Sequence, residues 1–391
     1  MWNVAAVSDV LVVSGIQRKQ GVNHMRVVDL RIEDIAFGGK GVGRDQGKAV
    51  FIPYTIEDEL VSAEITREKK QLAEAELVLV KESSPHRVTP ECPYFGRCGG
   101  CAYQHIDYHH QLAIKWRQVR DVLHRIGKFK DIPLRPIIPS PKQYGYRNRI
   151  TVHVQDGVIG FFRRDSHSLV DIERCPISCD EVNGALTNLR QQNPRDGHYT
   201  LRTSSSRRVF AQTNKEVADV LRDLVVSLVP PDQDLLIDAY CGAGFFAKAL
   251  LDKFERVVGI DWDKFAIAAA KEDVTEKETY IAGDVQQLQQ VGAIHQQRPL
   301  VDEIPRGRSG AITTIIVDPP ATGLGANVRK VILEFAPATL VYVSCNPATL
   351  ARDLRELQAR FTINSVTPLD MFPQTAEIEV VVHLYAKHER Q

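Results

Sequence analysis

From about Val209 onward the chain repeats one unit, a short apolar run followed by a segment with helical spacing. Four such runs stand out: Leu235–Asp238, Val257–Asp261, Thr313–Asp318 and Leu340–Ser344. No other feature constrains the fold as much. Parallel strands cannot be joined by a tight turn, so each return needs a crossover, and a helix is the usual one. The expected result is a Rossmann-like α/β domain with helices on both faces of a parallel sheet and its ligands at the carboxyl edge of the strands.

The preceding sequence has different rhythms. Arg26 to about Glu82 alternates in strand fashion, with Val61, Ala63 and Ile65 on one face and Ala73, Ala75, Leu77 and Leu79 repeating the pattern. Gly38, Gly39, Gly41, Gly43 and Gly47 gather where turns are needed, which reads as a small OB-like β-barrel over residues 26–84. Residues 85–205 form a β-rich central domain, interrupted by one amphipathic helix at about Tyr108 to Ile126. Residues 206–391 are the α/β domain, within which Val285 to Ala311 is a polar, Gln-rich helix and exposed loop. Because Met25 immediately precedes a strand-like segment, residues 1–25 read as a disordered extension or an upstream start.

Lys and Arg total 49, as do Asp and Glu, so whole-chain charge selects no partner. Between Gln111 and Phe210, however, 18 basic residues face 9 acidic ones, leaving 31 against 40 elsewhere. A basic middle is an electrostatic footprint for RNA, although a solvated charged face has the same composition. No apolar span is long enough for a membrane helix, and Val4 to Ile16 lacks the basic start of a signal peptide and carries Asp9. A cytoplasmic protein with no membrane contact and no obligate protein partner is expected, and its seven cysteines do not read as a disulfide framework.

Asp238-Ala-Tyr-Cys-Gly-Ala-Gly244 follows the first strand and opens a helix, so a ligand can approach the backbone closely. Asp261 ends the next strand, where a carboxylate can hold two ribose hydroxyls, and Asp284 ends the third, towards an adenine edge. The spacing lacks the full dinucleotide fingerprint, and this order of glycines and acids resembles S-adenosyl-L-methionine methyltransferases more closely than dehydrogenases. Asp318-Pro-Pro320 holds another carboxylate at the sheet edge, and Ala321 after it, where amine methyltransferases carry an aromatic, disfavours amine methylation. Cys345 lies between Ser344 and Asn346 at the start of a helix. A buried inert cysteine is the bland alternative, but a helix N-terminus is expected to lower the thiol pKa and favour a nucleophile. Cys92, Cys98 and Cys101 share one loop and Cys175 can supply a fourth thiolate, with Cys179 as its rival. Softness alone leaves zinc and iron–sulfur equally open.

Five motifs in order resemble those of the RNA uridine-5-methyltransferases, and in particular of the iron–sulfur-containing 23S ribosomal RNA branch. They are Phe210-Ala-Gln-Thr-Asn214, Tyr240-Cys-Gly-Ala-Gly244, Asp318-Pro-Pro320, Ser344-Cys-Asn-Pro347 and Phe372-Pro-Gln-Thr-Ala-Glu-Ile-Glu379. The resemblance implies that Cys345 is the nucleophile and Glu379 the base, with Gln212, Tyr240, Asp261, Asp284 and Asp318 at the cofactor and substrate. It further implies that Cys92, Cys98, Cys101 and Cys175 hold a [4Fe–4S] cluster and that the barrel is a TRAM domain. The partner would be structured RNA, ribosomal before transfer RNA. Ala321, Phe245, Asp261 and Gln374 depart from the Arg, Asn, Glu and His usual in the family. A non-catalytic RNA-binding relative is the rival reading, but it needs neither Cys345 nor Glu379.

Overall fold

The computed structural model describes residues 26–164, 166–204, 212–287 and 313–387. The extension expected over 1–25, the Gln-rich segment beyond 287, and Phe210 and Ala211 of the first motif lie outside the described residues.

Strands β1 (Val27–Ile35), β2 (Lys40–Asp45), β3 (Lys48–Pro53), β4 (Leu60–Glu68) and β5 (Leu72–Glu82) close a barrel in the order β1-β2-β3-β5-β4. Alternation drives it: Val28, Leu30 and Ile32 point inward while Val27, Asp29 and Arg31 face out. Gly43 is required by contact, because a Cβ there would lie 2.2 Å from Leu30 Cδ1. The inward face expected for β5 ends differently. Register shifts between β4 and β5 pair Val61 with Val80 and Ser62 with Leu79. Val80 therefore enters the core and Leu79 does not, since each bulge flips the side-chain alternation.

The central sheet runs β8-β7-β6-β9, built from β6 (Arg149–Gln155), β7 (Val158–Phe162), β8 (Leu169–Asp171) and β9 (Gly197–Arg202). Helix α2 (Asp180–Gln191) buries Val182, Leu186 and Leu189 against Ile150, Val152 and Val170 of this sheet. Helix α1 (Tyr108–Arg125) appears where its spacing predicts it, capped by Asp107, whose side chain accepts from His110 N–H at 2.9 Å. It nevertheless packs elsewhere: Val119 and Leu123 join the core of the α/β domain.

That domain contains α3 (Lys215–Leu228), β10 (Gln233–Ala239), α4 (Phe245–Ala249), β11 (Phe254–Asp261), α5 (Lys264–Ala270), β12 (Glu278–Ala282) and β13 (Thr313–Val317), continuing with α6 (Ala326–Phe335), β14 (Thr339–Ser344), α7 (Pro347–Leu357), β15 (Phe361–Leu369) and β16 (Glu379–Ala386). Its sheet order is β12-β11-β10-β13-β14-β16-β15, parallel through β14 and antiparallel at β16. The four apolar runs are β10, β11, β13 and β14, as their periodicity requires. The order in which strands are added reverses between the parallel neighbours β10 and β13, which opens a crevice at their carboxyl ends. Among the described residues no helix is long and apolar enough to cross a membrane.

Candidate active site

A cavity of about 1300 Å³ occupies that crevice. Its walls come from all three domains: Phe37 and Gly38 of the barrel, Asn148 and Thr203 of the central domain, and the loops following β10, β11, β13 and β14. Of the residues singled out from sequence, Gln212, Tyr240, Asp261, Asp318, Cys345 and Glu379 line it. Asp284 is not among its wall residues; it is exposed and its side chain accepts from Gln286 N–H at 2.9 Å. Its charge still reaches Tyr240, whose hydroxyl is pushed up to about 12, first by burial and then by Asp284.

At one end the chain turns sharply after β10. Tyr240, Gly242 and Gly244 all have positive φ, and Gly244 (φ 83°) sits at the N-cap of α4. Gly242 N–H and Asp263 N–H donate to the two carboxylate oxygens of Asp261, at 2.9 and 2.8 Å. Beneath them Asp238 is fully buried; it accepts from Ala247 N–H at 2.9 Å through one oxygen and leaves the other without a partner. Burial pushes this carboxyl up to about 8, opposed by the Ala247 bond and assisted by the charges of Asp318 and Asp261.

At the other end lie Cys345, Asp318 and Glu379. Asn346 caps α7, accepting from Ala348 N–H at 3.0 Å, and donates to Ala321 O at 3.0 Å, where Thr349 also donates. The Asp-Pro-Pro and Ser-Cys-Asn-Pro segments are thereby tied together. Burial, then the charges of Glu379 and Asp318, push the Cys345 thiol up to about 11. This corrects the expectation of a lowered thiol pKa: Cys345 precedes the α7 cap, and desolvation and two carboxylates outweigh the helix end. Glu379 is buried and held well above the usual carboxylate range by that burial and by Asp318 and Glu377. Asp318 is pushed up to about 7 by burial and by Asp261. In the absence of ligand, burial and mutual repulsion therefore favour the uncharged forms of Cys345, Glu379 and Asp318.

The loop leading into Glu379 is fixed from several sides. Asn214 donates to Met371 O at 3.1 Å, Lys115 to Phe372 O at 3.0 Å, and the Tyr146 hydroxyl to Pro373 O at 2.9 Å. Ala102 and Tyr103 N–H both donate to Gln374 O at 3.0 Å, and Gln111 donates to the Gln374 side chain at 3.0 Å. Lys115 and Asp370 form a fully buried ion pair at 2.6 Å. Gln374, noted as a departure from the family pattern, thus anchors the loop. Lys115 was not singled out from sequence, and Asn214 entered only as the end of the first motif with no role given, since nothing local marks a buried polar residue whose partners are distant in the chain.

In the central domain Cys92, Cys98, Cys101 and Cys175 are free thiols, each partly buried. Burial raises the thiols of Cys92, Cys98 (about 11) and Cys101 (about 12), and the charge of Cys175 raises all three. The four sulfurs therefore share one neighbourhood. Gly100 N–H points to Cys98 Sγ at 3.4 Å, and Asn183 secures Cys175 by accepting from its N–H at 2.8 Å and donating to its carbonyl. Cys179 caps α2 and packs against the central core. Among the described residues no three His, Cys, Asp or Glu side chains are gathered tightly enough to hold a single metal ion.

Residues 188–387 match the tRNA (uracil-5-)-methyltransferase family, and residues 21–78 match the TRAM domain. An uncharacterized RNA methyltransferase of Aquifex aeolicus is 28% identical over 92% of this chain and 98% of its own length. Another, from Bdellovibrio bacteriovorus, is 29% identical over 91% and 94%. In fold the chain is similar to the solved Pyrococcus abyssi tRNA (uracil-54, C5)-methyltransferase in complex with S-adenosyl-L-homocysteine. The TM-score is 0.68 at 24% identity, covering 91% of this chain and 100% of that one.

Proposed function

The chain belongs to the tRNA (uracil-5-)-methyltransferase family and carries a TRAM domain, and from that premise we propose that it transfers the methyl group of S-adenosyl-L-methionine to carbon 5 of a uridine in structured RNA. We take 23S ribosomal RNA in the cytoplasm as the first substrate to test and transfer RNA as the second. The observation that carries this reading is that Cys345 and Glu379 face one cavity with the glycine turn after β10. A binding protein has no use for a thiol and an acid so placed.

S-adenosyl-L-methionine supplies an electrophilic methyl group on a positive sulfonium. Uracil carbon 5 is a weak nucleophile, so the Cys345 thiolate adds to carbon 6 and makes carbon 5 enolate-like for attack on that methyl. Glu379 then removes the carbon 5 proton, and the cysteine leaves by elimination. Asp318, Tyr240 and Gln212 orient the partners from the wall, Asp261 receives the ribose, and Asp284 stands beside Tyr240 towards the adenine. Because Glu379 and Asp318 raise the thiol, neutralising them, or bringing a positive charge beside them, makes the thiolate accessible.

Cys92, Cys98, Cys101 and Cys175 would hold a [4Fe–4S] cluster, which supplies a covalent brace between two distant segments. Free, partly buried thiols, with a backbone N–H aimed at the sulfur of Cys98, suit such a group chemically.

The test exploits the order of the steps. Cys345→Ala should bind RNA and form no covalent adduct, whereas Glu379→Gln should methylate once and stall as a denaturation-resistant complex. RNA carrying 5-fluorouridine should trap the wild type likewise. Retained turnover in Cys345→Ala, or trapping on Cys241, would refute the assignment. Mapping 5-methyluridine by mass spectrometry in RNA from cells with and without the gene identifies the substrate.

A further inference from the structure

We propose that Phe37 of the barrel is a stacking wall for the nucleobase that enters the cavity, so that the barrel forms part of the substrate site as well as holding RNA at a distance. The inference rests on reading the cavity as a uridine site.

Phe37 is 40% exposed although it is a large aromatic, and it lines the same cavity as Cys345 and Glu379. Its position is built rather than loose. Gly39 N–H donates to Ala36 O at 2.9 Å and Gly38 has φ +95°, which defines a type II turn with Phe37 at its first corner. A Cβ at Gly38 would meet nothing within 4 Å, so backbone conformation alone calls for glycine there. Gln118 of α1 donates to Ile35 O at 3.0 Å and Ala36 O at 2.9 Å, which anchors the turn to the rest of the molecule.

The turn also lies at the correct end. A Cβ at Gly39 would sit 3.2 Å from Ala376 Cβ, so the turn abuts the loop that leads into Glu379. Ala376 and Glu377 line the cavity beside it. Phe37 therefore stands beside the loop that carries Glu379, the group that would handle the carbon 5 proton. A base drawn out of its stack loses its neighbours, and a rigid aromatic face replaces them at no ordering cost.

The probe is a fluorescent short oligouridylate, with an abasic oligomer of equal length as control, bound to full-length protein with S-adenosyl-L-homocysteine at one fixed salt concentration. Phe37→Ala should weaken oligouridylate binding by roughly 5- to 150-fold, the range of one lost base stack. Phe37→Tyr should retain most of the affinity, and all three proteins should bind the abasic oligomer with equal weakness. The proposal is overturned if wild type does not distinguish the two oligomers, if Phe37→Ala binds oligouridylate as wild type does, or if it loses the abasic oligomer to the same extent. Failure of the methylation reading is a separate result, because 5-methyluridine formation is not measured in this assay.

Discussion

In the ligand-free protein Cys345 should behave as a sluggish thiol, and the size of the effect follows from its surroundings. With the thiol at about 11, roughly one molecule in a thousand carries the thiolate at pH 8. A thiol of ordinary pKa, about 8.5, is about one-quarter ionised there, roughly 240-fold more. A higher pKa also makes each thiolate more nucleophilic; a Brønsted coefficient of about 0.45 over about 2.5 pH units returns a factor of about 13. Ionisation outweighs intrinsic reactivity. Cys345 should therefore react with iodoacetamide about 20-fold more slowly than an ordinary exposed thiol at pH 8. The rate, followed by site-resolved mass spectrometry, should climb about tenfold per pH unit to beyond pH 10. Glu379→Gln removes the neighbour that, after burial, does most to raise the thiol, so its midpoint should fall. A wild-type rate that levels off at or below about pH 8.5, the ordinary thiol value, would show that burial and the carboxylates do not raise the thiol and that the electrostatic argument is wrong.

Asp261→Ala should weaken S-adenosyl-L-methionine binding by about 1.5–3 kcal/mol, the scale of a lost charge-assisted hydrogen bond; unchanged affinity in calorimetry would remove the acid from the ribose. The purified protein should be brown, and replacing Cys92, Cys98, Cys101 or Cys175 with Ser should bleach and destabilise it; a colourless protein containing one tightly bound zinc would refute the cluster. Asp238 has a folded pKa of about 8, above its unfolded value, so the folded state keeps a proton that the unfolded state releases. Its stabilising contribution is complete below about pH 4 and is lost as pH rises towards 8. Asp238→Asn should flatten the decline by up to about 1.4 kcal/mol per pH unit in urea denaturation, and parallel profiles for the two proteins would contradict this.

Much of the architecture is carried by local pattern. The apolar runs that became β10, β11, β13 and β14 needed only their length and the helical spacing between them, because a parallel strand has few other solutions. The barrel followed from period-two alternation and clustered glycines, and α1 from its amphipathic period. The terminal strands β15 and β16 went unassigned: Phe361–Leu369 and Glu379–Ala386 are strands because they pair with each other and with β14, and that partnership is made across the fold.

The site divides the same way. Cys345, Asp261 and Asp318 were marked in the sequence as reactive residue types next to strand ends and a helix start, whereas Glu379 was marked by the family resemblance alone; all four line the cavity. The protonation of those groups was not marked there. A helix start can be read from a sequence, whereas desolvation and two facing carboxylates exist only after β14, β16 and the loop after β13 are packed together, and there they reverse the expected direction of the Cys345 shift. The same holds for α1, which is contiguous with the central domain yet buries Val119 and Leu123 in the α/β core, and whose Lys115 and Gln111 hold the Glu379 loop. Periodicity identifies which face of a helix is apolar, but it carries no information about which surface will cover that face. Only the assembled chain brings Phe37, Asn148 and Glu379 to one cavity, because each belongs to a different domain and their meeting depends on how the three domains pack.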